Sequence, residues 1–575
     1  MGAAVFRREL RERLLQRDQT VLLRIAVSPH FDSPVEKTGR DIVREGEELA
    51  GRYGRPDHPG MELLLLPHSP ELFLLHLGLV LQGRIPAILP WPTARIDAEK
   101  YQRNLLHQLR NLPAAQLITL PGLAENLGSG LPFPATACRI EGAERYEQLF
   151  SVPLVIRAQE TVEKATGGTC PSPDALFLQF SGGTTGLQKS VVVTAPMLLS
   201  QLELLRESLN FSASDSVVSW LPLYHDMGLI ACLWFPLWHG AASLHIGAND
   251  WLLKPDLLFQ YVGRYHGTFC WLPNFSFSYL AQRGETLSGP YDLGSVRGWV
   301  NCSEPVRLRS MMSFADTFSK WGVTKESLQA SYAMAENVFA VTQTQLGKPA
   351  ATVPRSRVRN GIGAYPELAF DVLDEVFVSS GKPLRGMEVR IVDASRTTCP
   401  AGTPGEIQIR TPCLFSGYWG AQGFTTTSLS ADDWHATGDY GLVMDGELFI
   451  IGRIKDIIII GGQNIFPEDV EAVVNSLGGV HPGRVVAFGV EDLEYGTESL
   501  AVVAEMKGDG DPAAVAALEA EIRKLVLAAI GIAPRFVAAV RQRWIVKSTA
   551  GKISRRDTRE RFLREKLAKF ESEPV

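Results

Sequence analysis

The sequence predicts an α/β protein: a large domain of layered, mixed sheets followed by a smaller α+β domain. Three observations predict it. Apolar runs alternate with helical periodicity in a β-α-β order between Leu63 and Leu89, which implies parallel pairing with helices on the faces. Several later apolar runs end in small or polar residues, as strands do along a ligand crevice. A charged interruption, Gly452-Arg453-Ile454-Lys455-Asp456, then separates two apolar strands. The segment beyond it, about 120 residues long, has an order of its own and is a comfortable size for a separate domain.

Composition narrows the class. The chain has 575 residues, 45% apolar and 21% charged, the balance of an ordinary globular protein. A net charge of −6 gives no polyanion-binding signal, so nucleic acid is not expected as a partner. Seven cysteines show no C-x-x-C spacing and read as reduced thiols rather than a disulfide frame or zinc site. Met1 to Arg17 is charged and lacks the apolar core of a signal peptide. The most apolar window, Leu72 to Trp91, carries His76, Gln82 and Arg84 and reads as a helix and a strand, not a membrane span. A cytoplasmic protein is expected.

In chain order, Leu63 to Leu66 predicts a strand, Pro70 to Gln82 a helix, Ile85 to Leu89 a strand and Leu117 to Leu120 another. The Gly/Pro-rich piece Thr166 to Pro173 leads into the apolar strand Ala175 to Phe180. That strand empties into Ser181-Gly182-Gly183-Thr184-Thr185-Gly186-Leu187-Gln188-Lys189. Glycines let successive backbone N–H groups face one concavity, hydroxyls add donors, and Lys189 adds a point charge. Such a loop suits polyphosphate. It is not a Walker A loop, because Gln188 stands where that pattern needs Gly. Thr194 and Pro196 open a helix behind it. The alternative reading of the same residues is a flexible strand-to-helix connection.

A strand at Ser216 to Trp220 runs into Leu221-Pro222-Leu223-Tyr224-His225-Asp226-Met227-Gly228. No second ligand stands at metal spacing from His225, so it reads either as a pocket-lining group facing a substrate carboxylate or as a satisfied structural histidine. Strands follow at Ala242 to Ile246, Thr268 to Leu272 and Val296 to Val300, the last ending in Asn301-Cys302-Ser303-Glu304-Pro305. Trp234, Phe235, Trp238, Trp271, Phe275 and Phe277 read as core, with some able to wall an apolar pocket. Tyr332 and Glu336, four apart, can serve one site, the ring on a base and the carboxylate on a divalent cation. Glu388 to Asp393 and Glu406 to Arg410 alternate as half-exposed antiparallel strands, and Asp445-Gly446 is a hairpin turn. In the small domain come a strand at Ile457 to Ile460, Gly461-Gly462, a helix from Pro467, strands near Val485 to Val490 and Leu500 to Glu505, and a helix from Pro512 to Ile530. Lys552 then sits on a loop of small residues before a charged helix.

These pieces, in this order, resemble the adenylate-forming superfamily of acyl-CoA synthetases, fatty acyl-AMP ligases and luciferase-like enzymes. The matching stretches are the Gly-Thr-Thr-Gly loop with Lys189, the motif at 221–228, Tyr332 to Glu336, Thr437-Gly438-Asp439, residues 452–456, residues 461–471, and Ser548 to Lys552. The resemblance implies a large N-terminal domain, 1–452, with a small β-barrel-like part, a hinge at 453–456, and a mobile C-terminal domain, 457–575. It implies ATP, Mg²⁺ and CoA. Ser181, Gly182, Gly183, Thr184, Thr185, Gly186 and Lys189 would cradle the β- and γ-phosphates, and Glu336 would hold Mg²⁺. Tyr332, with Cys302, Ser303, Glu304 and Pro305, would face adenine. Asp439 would accept from the ribose hydroxyls, with Arg453 nearby. Lys552 would touch the substrate carboxylate and α-phosphate, Lys455 would be the hinge, and Gly461 and Gly462 would leave room for pantetheine.

The implied activity is acid–thiol ligation of a hydrophobic acid through an acyl-AMP, with CoA as acceptor. The Tyr-His-Asp-Met-Gly-Leu and Ser-Glu-Pro-Val-Arg segments resemble instead the branch that loads carrier-protein pantetheine. Gln188, Ser190, Ala333, Ala335 and Cys302-Ser303 depart from the family pattern. They open two further readings: impaired adenylation with transfer of a supplied acyl-AMP, and a silent acyl-adenylate or nucleotide binder. A homo-oligomer is left open.

Overall fold

The computed structural model describes residues 1–55, 61–91, most of 101–140, 170, 172–181, 189–354 apart from 288, 358, 376–420, 423–426, 432–460, 463–492, 497–547 apart from 509, and 553–565. Two large sheets dominate. The first runs, edge to edge, Gly423–Thr426, Gly417–Gly420, Lys189–Thr194, Ala175–Ser181, Pro86–Ile88, Met61–Leu65, Ala114–Thr119 and Ala135–Ala137. Its strands from Ala175–Ser181 outward through the β-α-β unit are parallel, as the sequence order predicts. Ser69 caps the intervening helix Pro70–Leu81 through Leu72 N–H, with Pro70 in the first turn. Every residue from Leu72 to Val80 is buried, so this helix lies inside the molecule rather than on its surface.

The second sheet runs Lys382–Pro383, Ala340–Gln343, Leu328–Ala333, Gly298–Asn301, Phe269–Leu272, Ser216–Ser219, Ala242–Ile246, Val21–Ala26 and Val35–Thr38. Val21–Ala26 pairs in parallel with Ala242–Ile246, so the first strands of the chain join a sheet whose other members come some 200 residues later. A four-stranded antiparallel sheet, Glu388–Val392, Gly405–Arg410, His435–Met444 and Glu447–Arg453, follows and includes the expected hairpin turn. One correction concerns the glycine loop. It does not pass straight to a helix. Lys189–Thr194 is a strand, antiparallel to Ala175–Ser181, with Ser181 opposite Lys189, and the helix Ala195–Leu209 begins only after it. The run Val191-Val192-Val193 is β-branched, which favours a strand.

The aromatics offered as a pocket wall are mostly core. Trp234, Phe235, Trp238, Trp271 and Phe277 are fully buried. Trp234 stacks on Phe177 at 5.5 Å and Trp238 on Phe6 at 4.9 Å, which locks them between layers. Only Phe275 of that set is partly exposed.

Residues from 458 onward build their own cores. One packs Ile458, Val470, Val473, Val502, Ile522 and Val526; the other packs Phe488, Val503, Phe536, Trp544 and Phe562. Their sheet is Val480–Asp492, Thr497–Met506 and Phe536–Val540, the last strand unforeseen in the sequence. Phe466 is the exception: it packs with Val353, Leu442, Phe449 and Ile451, across the 453–456 segment.

Candidate active site

Strand ends of both large sheets and the four-stranded sheet converge on one place. Of the glycine loop, Gly182, Gly183, Thr184, Thr185 and Gly186, and the side chain of Ser181, lie outside the described residues. Lys189, at the loop's far end, is exposed, and its ammonium stands 4.7 Å from the ring centroid of Tyr418. The Tyr418 hydroxyl donates to Glu336 Oε1 at 2.8 Å. Burial and the Glu336 charge both raise the Tyr418 phenol, so it stays a neutral donor. His435 is buried in the same corner, where burial lowers its imidazole. The departure at Ser190 has a structural role: its buried hydroxyl donates to the Trp419 carbonyl, tying Lys189–Thr194 to Gly417–Gly420.

Glu336 sits in a short turn, Ala335–Asn337, that is gripped from behind. The Gln179 amide donates to Ala335 O at 3.0 Å and to Val338 O at 2.9 Å. Val338 holds φ +63°, a left-handed conformation that a β-branched residue adopts only when its surroundings impose it. Gln179 lies in the strand that feeds the glycine loop, so the phosphate-loop strand and the carboxylate turn are fixed to each other.

A second group forms beside the first. The Tyr332 hydroxyl donates to Asp439 Oδ2 at 2.6 Å, and Arg453 Nε lies 3.1 Å from Asp439 Oδ1. Asp439 and Arg453 face each other across neighbouring strands, which is why residues 14 positions apart meet. Burial, then Asp439, raises the Tyr332 phenol well above its usual range, so it too remains a donor. Gly438, at φ +73°, makes the bend that brings Asp439 round. Lys455 is close enough to Asp439 and Asp456 to feel both, yet desolvation, with help from Arg453, lowers its ammonium to about 8.

A narrow cleft of about 30 Å³ lies alongside, lined by Trp220, Pro222, His225, Met227, Pro273 and Ser303 among others. His225 is half-buried on its wall. Gly228 has no room for a side chain: a Cβ there would lie 2.3 Å from Pro222 O. The helix Met227–Trp234 is a π-helix, a form often found at functional sites. Ser303 lines the cleft at φ +70°, whereas Cys302 is fully buried. The Glu304 carboxylate accepts from Phe275 N–H at 2.9 Å, fixing the 302–305 segment against the wall.

Lys552, Gly461 and Gly462 lie outside the described residues. A β-bridge pairs Lys547 with Ile553. Just beyond, Arg555 gathers three carboxylates: Asp456 Oδ2 at 3.0 Å, Glu468 Oε1 at 3.2 Å and Glu471 Oε1 at 2.9 Å. These carboxylates hold the guanidinium protonated, while burial pushes the Glu471 carboxyl up. Arg555 thus fastens the residue after Lys455 to the helix Pro467–Val474.

Among the described residues no cluster of three metal-ligating side chains exists. A half-buried single carboxylate opposite a lysine nevertheless fits Mg²⁺ that arrives with phosphate, because that ion takes one or two carboxylates and fills its sphere with phosphate oxygens and water. Sequence reasoning missed Gln179, Tyr418, His435 and Arg555. Tyr418 carried a weak signal, a Gly-Tyr-Trp-Gly run rich in strand formers; the others carried none.

No helix of the described residues is long and apolar enough to cross a membrane. Residues 63–419 match the AMP-binding enzyme family. A 4-hydroxyphenylalkanoate adenylyltransferase of Mycobacterium marinum is 30% identical over 544 residues, 90% of this chain and 83% of the relative. The medium-chain-fatty-acid–[acyl-carrier-protein] ligase JamA of Moorena producens is 29% identical over 69% of each chain. A structure from a study of fatty acyl-adenylate ligases of E. coli and L. pneumophila matches with a TM-score of 0.80, at 21% identity and over 97% of this chain and 98% of the other. At that identity the likeness is one of fold.

Proposed function

The chain belongs to the AMP-binding enzyme family, within the adenylate-forming superfamily, and from that premise we propose that it activates a hydrophobic carboxylic acid as its acyl-AMP and passes the acyl group to a thiol. One observation carries the reading: Lys189, Glu336, Tyr332, Asp439 and Arg453, from four separate stretches of chain, meet in two adjoining groups. The first group offers a cation and a metal-accepting carboxylate for a polyphosphate. The second offers a fixed carboxylate for a pair of ribose hydroxyls, since each Asp439 oxygen keeps a second lone pair. The cleft beside His225 is where the acid would enter.

A carboxylate resists nucleophiles because its charge repels them. Attack of its oxygen on the α-phosphorus of ATP releases pyrophosphate and leaves a carbonyl bearing a good leaving group. Lys189 would stabilise the charge that gathers on the departing pyrophosphate. Mg²⁺, held by Glu336, would supply neutralisation of the phosphate oxygens. Lys552 would meet the carboxylate and the α-phosphate, carried by the 457–575 domain turning about 453–456. A thiol then displaces AMP.

Two thiols suit the second step. Free CoA is supported by the Gly461-Gly462-x-Asn-Ile segment; carrier-protein pantetheine is supported by the 221–228 motif and by the carrier-protein ligase among the relatives. Pyrophosphate exchange against a panel of acids tests the first step, and product mass with CoA or a holo carrier protein tests the second. Lys552→Ala should abolish thioester formation from acid plus ATP by about 100-fold or more while sparing transfer from supplied acyl-AMP. Turnover from acyl-AMP alone would mark impaired adenylation, and turnover from neither supply would mark a binder.

A further inference from the structure

The corner around Lys189 and Glu336 poses a physical problem. A lysine on a strand end and a carboxylate on a nearby turn attract each other, and a direct pair would occupy both groups. Among the described residues no ion pair joins the two; each meets Tyr418 instead. Tyr418 stands between them. Its hydroxyl donates to one oxygen of Glu336, at 2.8 Å, and its ring face meets the Lys189 ammonium at 4.7 Å. No described donor meets the other oxygen of Glu336. The phenol is held in turn by its strand: Tyr418 is opposite Val191, and Ser190 bonds the next carbonyl along. Phe415 N–H donates to the Glu336 carbonyl at 2.8 Å, so the same segment grips the turn at its backbone.

We propose that Tyr418 is a positioning residue for the nucleotide's metal: its hydroxyl aims one Glu336 oxygen outward and its ring keeps Lys189 from closing onto that carboxylate. The proposal rests on the reading of Glu336 as the metal carboxylate. A neutral donor directs the carboxylate without cancelling its charge, which an arginine or lysine in the same place would do. The ring face gives the ammonium a second partner that a metal-bound phosphate can replace.

The test uses the full chain and Mn²⁺ as the probe, measured by electron paramagnetic resonance in the presence of a non-hydrolysable ATP analogue, alongside the Mg²⁺ requirement of pyrophosphate exchange. Tyr418→Phe keeps the ring and removes the donor. It should weaken Mn²⁺ binding about tenfold or more, as expected for losing a hydrogen bond to a charged group, with the KM for the acid unchanged. Tyr418→His, which keeps an N–H donor, should recover part of the loss. In a Glu336→Gln background Tyr418→Phe should add nothing further. Unchanged Mn²⁺ binding in Tyr418→Phe, or a loss that adds in full on Glu336→Gln, overturns the proposal. If Tyr418→Phe does not fold, Tyr418→His against Tyr418→Leu decides the same point, equal losses overturning it. Should Glu336→Gln itself bind Mn²⁺ as the parent does, the metal reading of Glu336 fails and the proposal with it.

Discussion

Acid should unfold this protein from the inside, through His76. It stands on the buried helix Pro70–Leu81, its ring is fully buried, and Nε2 accepts the Trp234 indole N–H at 3.2 Å. An indole only donates, so a proton on Nε2 would set two donors against each other. Burial lowers the imidazole from 6.5 to about 3. The folded-state value is depressed, so the unfolded chain binds a proton that the folded chain refuses. Stability is therefore fully present above pH 6.5 and is lost as pH falls from there toward 3. At pH 5 the loss from this one group is about 2 kcal/mol, from 1.36 kcal/mol per unit over 1.5 units. His68, lowered to about 4, and His245, lowered to about 3, add losses of the same size. The sum, about 6 kcal/mol, is comparable with the whole stability of many domains. Urea midpoints followed by tryptophan fluorescence at pH 7, 6 and 5 measure it. His76→Gln keeps an acceptor for Trp234 and has no proton to gain. Its curve should fall about 2 kcal/mol less than the parent's between pH 6.5 and 5. Parallel curves for parent and variant would refute the reasoning.

Gln179→Leu leaves the Ala335 and Val338 carbonyls buried without their donor and releases the strained turn; a loss of about 2–4 kcal/mol in urea unfolding and a raised KM for ATP are expected. Arg555→Leu strands three carboxylates around a largely buried centre, with the Arg555 side chain only 19% exposed; about 3–5 kcal/mol of local stability should go, read as faster proteolysis within residues 457–575.

Much of the layout was legible because it is local. Ser69 and Pro70 announce a helix start, and the apolar run Ala175 to Phe180 announces a buried strand. What was not legible is pairing at a distance. Val21–Ala26 has nothing in its own residues that names Ala242–Ile246 as its neighbour. Lys189–Thr194 was hidden behind a loop whose glycines drew attention forward to the Thr194 cap. The site divides the same way. Tyr332, Glu336 and Asp439 stand in recognisable motifs, but Tyr418 reaches Glu336 only because Gly417–Gly420 pairs with Lys189–Thr194, some 230 residues upstream. Gln179 offered no clue either, since a glutamine in an apolar strand shows its purpose only once the turn behind it is in place.

One ring that crosses the 453–456 segment sets a threshold for motion. Phe466 is 1% exposed, seated on Leu442, Phe449 and Ile451 of the larger body although it belongs to the chain beyond the linker. If residues 453–456 act as the proposed pivot, any swing begins by lifting that ring into water, at about 2 kcal/mol. At rest the enzyme would then sit in its present pose by roughly thirtyfold on this account alone, and a bound substrate would have to outbid a single phenyl group before the tail could turn.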